Sequence, residues 1–153
     1  MSSPNIPTIT PYLPTLSTPV KLSAAPFQLT AADGILCLGS CFAQEVGERL
    51  RHQLPEGHVC VNPLGPLYAA QVVFGLLEEW MSDVSPVTPF RGRDGLWHSW
   101  QASSVCSAST EAECRERLTV AWKKGREALC KASLIILTFG TTRAYHLRSD
   151  EGT

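Results

Sequence analysis

The residues best suited to do chemistry are Ser40 and Cys41. They follow Gly39 directly in the stretch LCLGSCFAQEVGERL. A hydroxyl or a thiol can attack an electrophilic carbonyl, and both stand where an apolar run gives way to an amphipathic one. A nucleophile at a strand-to-helix turn gains twice. The turn exposes it, and the helix dipole favours negative charge on a thiolate or an oxyanion there. The same residue types also have a plain structural use. Ser before a helix is a common N-cap worth ~1 kcal/mol, and a Cys at the start of a buried helix packs as a small hydrophobe. Spacing alone leaves both readings open, because a lone Gly-Ser-Cys is a weak motif.

A nucleophile of this kind needs a base. The histidines are His52, His58, His98 and His146. His52 falls on a polar helix face and His58 starts a strand. His146 follows the last apolar run and could line a strand-end site. His98, between Trp97 and Trp100, is the best functional candidate, with Asp94 the closest carboxylate, although packing on the tryptophans explains it equally well.

The elements that must position these groups follow from hydrophobic periodicity. ILCLG at 35–39 is an apolar run suited to a buried strand. Phe42, Ala43, Val46, Leu50 and Leu54 then recur at helical spacing until Pro55 and Gly57. HVCV at 58–61 reads as a second strand, and NPLGP at 62–66 as a loop in which Pro63 biases Asn62 toward an extended backbone. A buried helix is predicted over 67–80 and an irregular stretch over 82–109. Thr110 and Glu113 form a capping box for a helix carrying Cys114, Leu118, Ala121, Trp122, Gly125 and Leu129. LIILTFG at 134–140 is a third strand, followed by TTRAYHL. Such alternation argues for an α/β fold with a parallel sheet. In parallel sheets ligands collect at the carboxyl ends of strands, where GSCF, NPLG and GTTRAY lie.

Composition narrows the function classes. The chain has 153 residues, 44% hydrophobic and 18% charged, with a formal net charge of −1. This is a globular composition, with no basic surface to suggest a nucleic-acid partner. No apolar run approaches the ~20 residues of a membrane helix, and the N-terminus lacks a secretory pattern. Residues 1–26 read as an extended Pro/Ser/Thr-rich arm, with five prolines among the first twenty residues; the domain itself is placed at 27–153. The six cysteines show no zinc-type spacing and read as reduced thiols in a cytoplasmic setting, without metal or cofactor.

Four blocks in order resemble the GSCFA-domain family: GSCFA at 39–43, NPLG at 62–65, WHSW at 97–100 and LTFGTTRAY at 137–145. That family looks like a branch of the SGNH (GDSL-type) hydrolases, which cleave esters with a serine nucleophile. The resemblance implies a flavodoxin-like three-layer sandwich, here the N-terminal part with the C-terminal strands missing. Setting the SGNH Gly-Asp-Ser on Gly39 places Cys41 on the nucleophile position; matching serine to serine makes it Ser40. Gly65 matches an oxyanion-donating glycine, Gly140 opens the third block, and Thr142 stands where that block carries asparagine. Asn62 and His98 are pocket candidates. The Asp-x-x-His pair that supplies the base does not occur in this sequence.

The function expected from the resemblance is an SGNH-type hydrolase acting on an ester or acyl group of a small-molecule, carbohydrate or lipid-like substrate. The alternative is a non-catalytic binding module, or inactive half-domain, using the same pocket. With strands missing, 134–140 becomes an apolar edge that invites self-association.

Overall fold

The computed structural model describes residues 19–21, 23–84 and 88–143. Of the Pro-rich arm, residues 1–18 and 22 lie outside these, and 19–21 and 23–26 carry no helix or strand. His146 also lies outside the described residues.

The fold is α/β. Strand β1, Gly34–Gly39, lies at the centre of a parallel sheet between β2, Val59–Val61, and β5, Ala132–Thr138. Register pairs Cys37 with Val61 and Leu38 with Leu137. The order β2-β1-β5 is the 2-1-3 order of a flavodoxin-like sheet. Helix α1, Cys41–Arg51, covers one face, where Ile35, Cys37, Ala43, Val59 and Val61 form a core with Leu50 and Leu54. Helices α2, Ala70–Ser82, and α3, Glu111–Lys131, cover the other. There Leu36, Leu38 and Cys60 pack with Val73, Leu76, Trp80, Leu118 and Trp122. Two covered faces explain why ILCL is apolar without alternation.

Local signals account for the helix ends. Ser40 caps α1 and Thr110 caps α3, where the Glu113 N–H donates to Thr110 Oγ1 at 3.3 Å. The other half of the capping box is not made, because the Glu113 carboxylate pairs with Arg117. Helix α2 begins at Ala70, not Leu67, since Ala69 is extended and the Tyr68 carbonyl accepts from Gly140 and Thr141 instead of from a following helical turn.

The stretch 82–109 is more ordered than its composition suggests. Strands β3, Phe90–Arg91, and β4, Trp97–His98, form an antiparallel hairpin, followed by a 3₁₀ turn at Ser104–Cys106. Two-residue strands are too short to show a period of two, although Asp94-Gly95 is a turn signal. Asn62 also departs from expectation. It is not extended but takes φ +38°, a conformation Asn tolerates better than most residues.

Strand β5 occupies 132–138 rather than 134–140, because α3 runs straight into it at Ala132. Its outer edge pairs with no strand among the described residues. Ile135 is 40% exposed and Phe139 45%. Among the described residues no helix is long and apolar enough to cross a membrane.

Candidate active site at the strand ends

Ser40 and Cys41 sit at the turn from β1 into α1, but in different environments. Ser40 is buried and Cys41 exposed. The Ser40 Oγ accepts the Phe42 N–H at 3.3 Å and lies 2.9 Å from Thr138 Oγ1. The Ser40 N–H donates to both the carbonyl and the hydroxyl oxygen of Thr138, each at 3.1 Å. Ser40 therefore acts as helix cap and as a tie between β1 and β5. Cys41 is the first helical residue, with its thiol open to solvent at the electropositive end of α1.

Four of the other cysteines are buried. Burial pushes the Cys37 thiol up to about 11 and also raises those of Cys60, Cys106 and Cys114. All six are free thiols. Cys130 is exposed, but in the last turn of α3, at the electronegative helix end.

Asn62 is buried beneath the turn. Its Oδ1 accepts the Gly39 N–H at 2.9 Å and its Nδ2 donates to Gln44 Oε1 at 3.2 Å. Its own N–H extends the ladder to the Cys37 carbonyl at 2.9 Å. The side chain thus braces the end of β1 against α1, and the left-handed backbone turns the chain away directly after β2. The Gly65 N–H closes this turn on the Asn62 carbonyl at 2.7 Å.

The third loop lies beside the second. The N–H groups of Gly140 and Thr141 both reach the Tyr68 carbonyl, at 2.9 and 3.2 Å. In this conformation the N–H groups of Gly65 and Gly140 therefore have partners within the chain. Thr142 is exposed in the bend that follows. The sequence reading missed Thr138, although its place at the head of the LTFGT block was a signal.

His98 is held elsewhere. Its Nε2 lies 3.0 and 3.1 Å from the Asp94 carboxylate oxygens, and its Nδ1 lies 2.7 Å from Ser107 Oγ. Asp94, the closest carboxylate in sequence, pairs with His98 because the hairpin turn folds it back over the ring. The hydrogen bond from His98 holds the Asp94 carboxyl below its ordinary range. Ser107, unremarked in the sequence, joins through the loop leading to α3. His52 is exposed at the end of α1, and His58 Nδ1 lies 3.3 Å from the Asp33 carbonyl, a structural placement.

No group of three or more His, Cys, Asp or Glu side chains among the described residues could hold a metal ion. The GSCFA family model matches residues 34–153. No curated protein and no solved structure matches the chain.

Proposed function

This chain belongs to the GSCFA family, and from that premise we propose that it carries the nucleophile turn of an SGNH-type hydrolase acting on an ester or acyl group. Cys41 is the attacking residue and Ser40 its structural neighbour. The observation that carries this choice is the contrast between them, an exposed thiol at a helix N-terminus beside a buried, hydrogen-bonded hydroxyl. A small-molecule, carbohydrate or lipid-like acyl substrate would approach over the exposed Cys41. The tetrahedral oxyanion would draw on the electropositive start of α1. Gly65, Gly140 and Thr142 would join as donors only if their loops open, and Asn62 serves by fixing Gly39.

Timed alkylation of the six cysteines, read by mass spectrometry, tests this assignment. Cys41 is expected to react first. Cys130 follows, because the helix end around it opposes developing negative charge. Cys37, Cys60, Cys106 and Cys114 lag far behind, since a raised pKa leaves less thiolate at neutral pH. Protection of Cys41, or labelling at one common rate, would remove it as nucleophile.

A second reading is a non-catalytic binding module using the same turn. It is favoured by the engagement of both His98 ring nitrogens away from Ser40 and Cys41, and by Thr142 in the asparagine position of the family block.

The expected partner beyond a small molecule is a second copy of this chain, paired along β5. The exposed Ile135 and Phe139 support this, since an unpaired apolar edge is a template for another strand. Light scattering should show self-association that Ile135→Lys weakens without loss of the fold. A wild-type monomer with a sharp cooperative melt would count against it.

A further inference from the structure

The loop between the hairpin and α3 brings together a carboxylate, an imidazole and a hydroxyl that the strand-end turn does not use. An ionised Asp94 can only accept, so in the neutral ring Nε2 carries the proton. Nδ1 is then the acceptor, and the Ser107 hydroxyl donates to it over 2.7 Å. This is the acid, imidazole and hydroxyl relay of serine hydrolases with the two ring nitrogens exchanged.

Each member is held by the surrounding chain. The Leu96 N–H donates to Asp94 Oδ1 at 3.1 Å. The Phe90 ring lies 5.8 Å from the imidazole. The Ser107 N–H donates to the Ser104 carbonyl at 3.0 Å, and Arg117 holds the Ser107 carbonyl at 2.6 Å. Gly92 leaves the space the pair needs, since a Cβ there would stand 2.7 Å from both Asp94 Oδ1 and His98 Cδ2. Trp100, 57% exposed, stacks on Phe90 at 4.4 Å and extends an aromatic shelf beside the ring.

We propose that Ser107 is a base-activated nucleophile that accepts an acyl group from a carboxylic ester with an apolar or aromatic flank. His98 is its base, and Asp94 is the positioning residue. In the step, the Ser107 Oγ–acyl bond forms and the ester C–O bond breaks. The Ser107 proton passes to His98 Nδ1 and from there to the departing alcohol. Release of the acyl group is slower than its capture from an activated ester, because the serine alkoxide is the poorer leaving group. The adjacent amides are taken, that of Ser107 by the Ser104 carbonyl and that of Ala108 by the Trp97 carbonyl, so they do not gather around an oxyanion. The site captures one acyl group per chain and does not turn over. It does not depend on the nucleophile at residues 39–41.

A fluorophosphonate probe on the full chain, with peptide mapping, tests it. The Ser107 Oγ–P bond forms, the P–F bond breaks, fluoride leaves, and the proton goes to His98. Ser107 should label at least about tenfold faster than Ser109, an exposed serine two residues away. General-base assistance is typically worth ~10²–10⁴-fold, so His98→Gln should lower the rate by about tenfold or more. Asp94→Asn should lower it in the same direction. Circular dichroism of His98→Gln must match the wild type; if that variant unfolds, the comparison of Ser107 with Ser109 in the intact chain decides alone. Ser107 labelling no faster than Ser109, or at an unchanged rate in folded His98→Gln, overturns the proposal. Labelling confined to Ser40 or Cys41 overturns it too, while leaving the strand-end reading in place.

Discussion

Gly39→Ala is expected to leave the chain unfolded at ambient temperature. Gly39 has φ +128°, and a Cβ built on it would stand 1.8 Å from the Thr138 carbonyl oxygen. That atom belongs to the backbone of β5, so relief requires β1 and β5 to separate at the end where Ser40 and Thr138 join them. Holding a non-glycine residue in such a backbone region costs roughly 1–3 kcal/mol by itself. Parting a central strand pair adds the loss of its ladder and of packing around Leu38. A domain of this size holds about 5–15 kcal/mol in total. Gly57→Ala separates the two contributions. Gly57 has φ +85° but nothing within 4 Å of a built Cβ, so only backbone strain applies. Urea titrations followed by circular dichroism should show a cooperative transition for Gly57→Ala at a modestly lower midpoint, and none for Gly39→Ala. A Gly39→Ala protein as stable as Gly57→Ala would mean that the strand end can relax, and the turn is not the rigid platform described above.

The second large effect is on rate. The chain as it stands is expected to show negligible esterase turnover on generic acyl esters. Cys41 offers an exposed thiol and the start of α1 offers positive potential, but among the described residues no histidine is bonded to the strand-end turn. His98 is bonded to Asp94 and Ser107 rather than to either turn residue. General-base assistance contributes ~10²–10⁴-fold and each oxyanion donor ~10²–10³-fold, and such parts act as a unit. With Gly65 and Gly140 donating inside the chain, several of these factors are absent together. The measurement is a steady-state assay of the purified chain beside the Ser40→Ala/Cys41→Ala double variant. Sustained turnover well above that variant, abolished by His98→Ala, would place the base at His98 and refute the expectation. A burst of up to one equivalent, traced to Ser107, is stoichiometric capture and leaves it standing.

Much of the fold is legible in the sequence alone. ILCL and VCV are apolar without alternation, which is the mark of strands covered on both faces; LIILT reads the same way although Ile135 stays 40% exposed at the sheet edge, and the intervening helical periods imply crossovers. The cap at Thr110 and the end of α1 near Pro55 were local signals of the same kind. Burial leaves a periodic trace along the chain, so elements that bury a face can be read from it.

The sequence by itself determined a parallel α/β sheet, its helices and the gathering of three loops at the strand ends, with Gly39, Ser40 and Cys41 on the first. It did not separate Ser40 from Cys41. Adjacent residues share every local signal, and only the approach of Thr138, far along the chain, buries one and leaves the other open. Nor did it give the brace made by Asn62, the partnership of Asp94, His98 and Ser107, or the hairpin that creates it. These depend on hydrogen bonds between segments whose own patterns are too short to be periodic. The tertiary structure decided them, because a polar group reveals its partner only when the chain has brought the two within about 3 Å.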